Sequence, residues 1–263
     1  MPLLGFGAYQ NYTTTQSVLQ ALDAGYRHID TAQAYRNEAH VGEAVRLSPV
    51  DRSDIFVTTK IISKYHGYEK TAARVDESLK QLGFDYIDLF LIHDPFAGKQ
   101  KRLETYRALL DAQKAKKIRS VGVSNYGVHH LKEIEDAGLA RPAVNQIELH
   151  PKCQQRPIVE YCRQNDIVIQ AYCPIIRGKM DDPVIHQVSA KYGARDPAQI
   201  LLRWSLQKGF VPLVKSANPE RIISNTHLYD FQLDEEDMHA LDELDQGDAG
   251  FISGWANNPT LAP

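Results

Sequence analysis

Asp30, Tyr35, Lys60 and His93 are side chains that together suit the reduction of a carbonyl group by hydride. A carbonyl carbon that accepts hydride leaves negative charge on its oxygen, so an acid must stand nearby. Free tyrosine, with a pKa of about 10, is a sluggish proton donor at neutral pH. A neighbouring ammonium favours the phenolate and lowers that pKa. Lys60 would supply this charge, Asp30 would hold Lys60, and His93 would position the carbonyl oxygen and stabilise its charge. Taken singly, each residue has a plainer use: Tyr35 as an aromatic plug, Asp30 with Lys60 as an ion pair, His93 as a satisfied structural histidine. Only the combination favours chemistry.

For such residues to meet, the chain must bring distant segments to one place. Short apolar, β-branched runs alternate with longer stretches of helical period, the pattern of repeated βα units around a parallel sheet. The runs predict eight strands, at 27–30, 55–59, 86–92, 120–123, 144–148, 168–172, 210–214 and 228–231. Helices are expected at 68–81, 104–117, 128–137, 156–165, 197–208 and 234–244. Asp196 before Pro197 is a start signal, because aspartate caps exposed N–H groups and proline tolerates the first helical position. No linker rich in Gly, Ser and Pro divides the chain. The expectation is an α/β fold, a single-domain (β/α)8 TIM barrel. Asp30, Lys60, His93, Asn125, Gln146, Tyr172 and Lys215 then fall at or just beyond the carboxyl ends of strands, where such barrels place their active sites.

The chain has 263 residues, 43% of them hydrophobic, enough for one large core. Lys plus Arg total 30 against 33 Asp plus Glu, a net charge of −3. No basic excess offers a footprint for nucleic acid or an anionic membrane, so a small molecule is the expected partner; a monomer is the expected form. Cys153, Cys162 and Cys173 are odd in number and lack C-x-x-C spacing, which argues against a disulfide framework or a cysteine-rich metal site. The start, 1–9, lacks the charged and apolar regions of a secretory signal. A cytoplasmic location is the corresponding expectation.

Longer motifs point further. Gly25-Tyr26-Arg27-His28-Ile29-Asp30-Thr31-Ala32, Tyr35 followed by Asn37-Glu38, Leu91-Ile92-His93 and Gly122-Val123-Ser124-Asn125 resemble the signatures of the aldo-keto reductase superfamily, in order, from about Leu4 to Asp245. The resemblance implies a TIM barrel that binds NADPH without a Rossmann domain, and the chain indeed has no G-x-G-x-x-G. It places the catalytic tetrad on Asp30, Tyr35, Lys60 and His93. It also implies nicotinamide contacts from Ser124, Asn125 and Gln146, and a stacking ring at Tyr172. Asn125 and Gln146 could equally form a buried polar network closing the barrel top. Val211-Pro212-Leu213-Val214-Lys215-Ser216, with Arg221 and Asn225, resembles the loop for the adenosine end, where Lys215 and Arg221 suit a 2′-phosphate and hence NADPH. Such a loop is otherwise merely a solvated surface.

Departures from the family pattern are informative too. Ser224 stands where many relatives carry a carboxylate contacting the adenine amine. Cys173 stands where a serine beside the pyrophosphate is common, and the resemblance leads to the expectation that the hairpin closing the barrel bottom in many relatives is short or missing. The resemblance lines the substrate pocket with Tyr9, Ile62, Asp94, Tyr126 and, from the C-terminal tail, Trp255 or Phe251. Ile62 and Asp94 replace tryptophans of many relatives, which predicts a wider mouth suited to small aldehydes, α-dicarbonyls or sugar-derived carbonyls. Asp94 is expected to face the pocket and repel anionic substrates, or else to satisfy loop N–H groups around Pro95. A regulatory subunit that binds NADPH and a TIM-barrel hydrolase are the competing functions. The intact tetrad argues against the first, and the lack of metal-ligand spacing or paired carboxylates against the second.

Overall fold

The computed structural model describes residues 1–255 and 258–263. Eight parallel strands close into a barrel in chain order: β1 (Gly5–Gly7), β2 (His28–Asp30), β3 (Phe56–Ile61), β4 (Ile87–Ile92), β5 (Ile118–Ser124), β6 (Val144–Glu148), β7 (Val168–Tyr172) and β8 (Val211–Val214). The eighth predicted strand, at 228–231, is not one. The missing strand is β1, which pairs with both β2 and β8. Two glycines in three residues leave β1 almost no apolar signature. The apolar signal at Leu228 and Phe231 comes instead from side chains that pack on the core. The helix expected at 104–117 runs from Lys99 to Lys114, starting after Gly98 at φ 80° and ending before Lys116 at φ 61°.

Side chains alternate along each strand between the barrel interior and the helical layer. Ile29, Val57, Phe90 and Val121 belong to the large outer core, while Leu89, Leu91 and Val144 form a separate inner cluster with Phe56. Gly122 faces that inner cluster. A Cβ there would lie 2.6 Å from Leu91 Cδ2 and 2.8 Å from the Val144 carbonyl, so glycine is what lets the layer close. Above the apolar layer the same inward parity brings up Asp30, Lys60, Ser124, Gln146 and Tyr172. Among the described residues no helix is long and apolar enough to cross a membrane.

Candidate active site

Lys60 is completely buried at the end of β3, where only a paired ammonium is tolerated. Its Nζ donates to Asp30 Oδ1 at 2.5 Å and to the Thr31 carbonyl at 2.8 Å, and stands 3.5 Å from the Tyr35 hydroxyl. Asp30 Oδ2 accepts from Gln146 Nε2 at 2.9 Å, and the same amide nitrogen reaches Gln170 at 2.7 Å. Tyr35 sits on a single 3-10 turn, Gln33–Tyr35, which must be held from outside. Gln33 ties it to Arg74 and Ser78. Thr31 donates to Asn37, Asn37 to the Ala8 carbonyl, and Thr59 to Glu38. The Thr, Asn and Glu of the sequence signature are thus the supports of the tyrosine turn. The Tyr35 ring meets Tyr9 at 5.0 Å and His93 edge-on at 5.6 Å.

The electrostatics modify the expectation about Tyr35. Burial, aided by the Asp30 carboxylate, holds its hydroxyl well above the usual phenol range, not below it. The Lys60 charge is taken up by Asp30, so in the resting fold Tyr35 is a protonated donor, and the ammonium matters when a phenolate forms. Burial lowers the Lys60 ammonium too, with Asp30 opposing. His93 is held well below its ordinary value by burial and then by Lys60, which leaves a neutral imidazole. Its Nδ1 is buried without a partner among the described residues.

Asp30, Tyr35 and His93 open into a cavity of about 980 Å³, with Lys60 buried beneath them. Ser124, Asn125, Gln146, Tyr172 and Cys173 line it, and so do Lys215, Ser216, Arg221 and Asn225. Ser124, Asn125, Gln146 and Tyr172 also form the polar network weighed against ligand contact. Asn125, in left-handed backbone at φ 63°, donates to the His93 carbonyl at 2.9 Å and to Ser124 at 3.1 Å, and accepts from the Tyr172 hydroxyl at 2.8 Å. Burial pushes the Cys173 thiol up to about 12, so it is no thiolate. Neither Lys215 nor Arg221 makes an ion pair among the described residues, which leaves two cations lining a cavity. Asp196 lines the cavity as well, though its sequence context identified it only as a helix cap. Gln10 and Arg177 are further wall residues that the sequence reading missed, because no local pattern distinguishes them from solvated loop residues.

Tyr9, Ile62 and Trp255 line the cavity; Asp94 and Tyr126 do not. Asp94 is 1% exposed, and its carboxylate accepts the N–H groups of Ser63 at 3.1 Å and Phe96 at 3.2 Å. Two backbone donors converging at a loop outcompete the pocket for an acceptor-only group. Tyr126 is buried against His130, with ring centroids 5.3 Å apart, behind the wall. Nor is the mouth bare of rings: Trp255 stands edge-on to His93 at 6.2 Å and packs on Phe96 at 5.3 Å. Phe251, four residues before Trp255, is half-buried. Among the described residues no cluster of three or more His, Cys, Asp or Glu could hold a metal ion.

Comparison with known proteins agrees with this geometry. The model of the Aldo/keto reductase family matches residues 4–246. The chain is 43% identical over 253 residues to 9,11-endoperoxide prostaglandin H2 reductase of Trypanosoma cruzi, covering 94% of this chain and 88% of that protein. It is 41% identical over 250 residues to glyoxal reductase of Bacillus subtilis, covering 94% and 90%. An aldo-keto reductase of Bombyx mori, solved in complex with NADP, superposes with a TM-score of 0.88 at 33% identity, covering 98% of this chain and 95% of that one.

Proposed function

The chain belongs to the aldo/keto reductase family, and from that premise we propose that it reduces aldehydes or ketones to alcohols with NADPH. The observation that carries this is one cavity lined by Asp30, with Lys60 buried against it, by Tyr35 and His93, and by two cations, Lys215 and Arg221, that make no ion pair among the described residues. Its volume suits a dinucleotide and a small substrate together. Lys215, Ser216 and Arg221 would hold a 2′-phosphate, Asn225 and Asp196 the adenine, Cys173 the pyrophosphate, and Ser124, Asn125 and Gln146 the carboxamide, with Tyr172 stacked beneath the ring. Bound NADPH supplies the hydride. Tyr35 gives its proton to the carbonyl oxygen, Lys60 stabilises the phenolate left behind, and Asp30 keeps Lys60 charged and in place. Neutral His93 hydrogen-bonds the carbonyl oxygen and fixes its approach. Tyr9, Ile62 and Trp255 offer the carbonyl substrate an apolar, aromatic surface. Three free thiols fit a reducing cytoplasm. The test is NADPH oxidation against aldehydes, α-dicarbonyls and keto sugars, for wild type and Tyr35→Phe. The variant should bind NADPH normally and lose about 10²-fold or more in kcat. Near-normal turnover would remove Tyr35 from this role.

A further inference from the structure

Trp255 reaches the cavity from far along the chain, in a stretch, 251–255, that is neither helix nor strand. Its position must therefore be imposed from both sides. Before it, Glu148 Oε1 accepts the Ile252 N–H at 2.7 Å, and Arg177 Nη1 donates to the Ser253 carbonyl at 2.9 Å. After it, the chain docks on the outer helices. Thr260 is buried, a ring nitrogen of His129 lies 2.8 Å from the Ala262 carbonyl, and Arg102 Nη1 donates to the Pro263 carbonyl at 2.8 Å.

Arg102 is the unusual member. It is 2% exposed, and arginine is buried this far only when fully paired. Two of its nitrogens fork onto Glu133 at 3.0 and 2.7 Å, and Nη1 also donates to the Pro95 carbonyl at 2.6 Å. Pro95 lies two residues past His93. One buried cation thus joins the loop that presents His93 to the segment that follows Trp255. Three residues of chain span at most about 10 Å, so docking of 258–263 limits where the indole can go.

We propose that Arg102 and the docked 258–263 segment form a latch that holds Trp255 against His93. Arg102 is then a positioning residue for the carbonyl substrate, although it does not line the cavity. The substrate part rests on the reductase reading above; the latch itself is geometric. A second residue tests it independently. Gly127 has φ −72°, which alanine adopts freely, but a Cβ there would stand 2.2 Å from the Thr260 carbonyl. Gly127→Ala therefore presses on the segment, and at 3.2 Å on the His129 ring that holds it, from a position that is neither Arg102 nor part of the cavity lining.

The chain has two tryptophans, and Trp204 is completely buried, so acrylamide quenching reports Trp255. With NADPH saturating, Gly127→Ala and Arg102→Met should both increase quenching and raise the carbonyl KM about 5-fold, the scale of lost aromatic contacts. NADPH affinity should stay within about twofold of wild type, and Arg102→Lys, which keeps the charge but loses the fork, should fall between. Unchanged quenching and KM in Gly127→Ala overturns the latch even where Arg102→Met fails to fold. A raised KM without greater Trp255 accessibility overturns it too. Should no carbonyl be turned over, quenching alone still decides.

Discussion

Removing one partner of the Asp30–Lys60 pair separates the stability of the barrel from its chemistry. In Lys60→Met the Asp30 carboxylate, 4% exposed, keeps the Gln146 amide at 2.9 Å but loses its cation, and the Thr31 carbonyl loses its donor. An uncompensated buried charge costs about 3–5 kcal/mol. Removing both charges in Asp30→Asn/Lys60→Met abolishes that penalty and leaves mainly the unpaired Thr31 carbonyl, about 1–2 kcal/mol. The double variant should therefore be more stable than the single one. It should still lose about 10²-fold or more in kcat, because a phenolate at Tyr35 then has no cation 3.5 Å away. Urea unfolding followed by tryptophan fluorescence, beside steady-state NADPH oxidation, measures both. A single variant as stable as wild type would refute the buried-charge argument. Near-normal turnover in the double variant would refute the role of Lys60.

Three further outcomes are expected. Burial, with Lys60 aiding at His28 and His93, depresses His28 to about 3, His66 to about 4 and His93 well below its ordinary value. The unfolded chain protonates these rings near pH 6.5 while the folded state refuses the protons, so stability falls as pH drops from about 6.5 towards 4. The loss is about 1.4 kcal/mol per pH unit for each ring. Equal urea midpoints at about pH 7 and about pH 5 would show that the rings are not buried neutral. Arg221→Ala should weaken NADPH by about 1.5–3 kcal/mol and barely alter NADH; equal losses in a binding titration would place Arg221 away from the 2′-phosphate. Asp94→Asn should cost about 1–2 kcal/mol of stability through its two loop hydrogen bonds, with the ratio of kcat/KM for matched neutral and anionic carbonyls unchanged. A shifted ratio would return Asp94 to the pocket.

The βα alternation and the meeting of Asp30, Tyr35, Lys60 and His93 were legible in the sequence because both follow from local facts. Hydrophobic period and residue type at strand ends survive without coordinates, and seven of the eight predicted strands coincide with β2 to β8. The strand Gly5–Gly7 was not legible, since its membership in the sheet comes from its neighbours β2 and β8 and not from its own three residues. The direction in which Asp94 points was likewise beyond the sequence: its carboxylate had two sets of donors within reach, and only the folded loop shows that Ser63 and Phe96 present theirs. The same holds for Tyr35, whose acidity depends on a balance between burial and charge that residue types alone do not weigh. It holds for Trp255 as well. An aromatic residue in an irregular tail acquires a position only through contacts with β6, the loop beyond β7 and the helices beyond β4 and β5, contacts that exist once the barrel has brought those segments together.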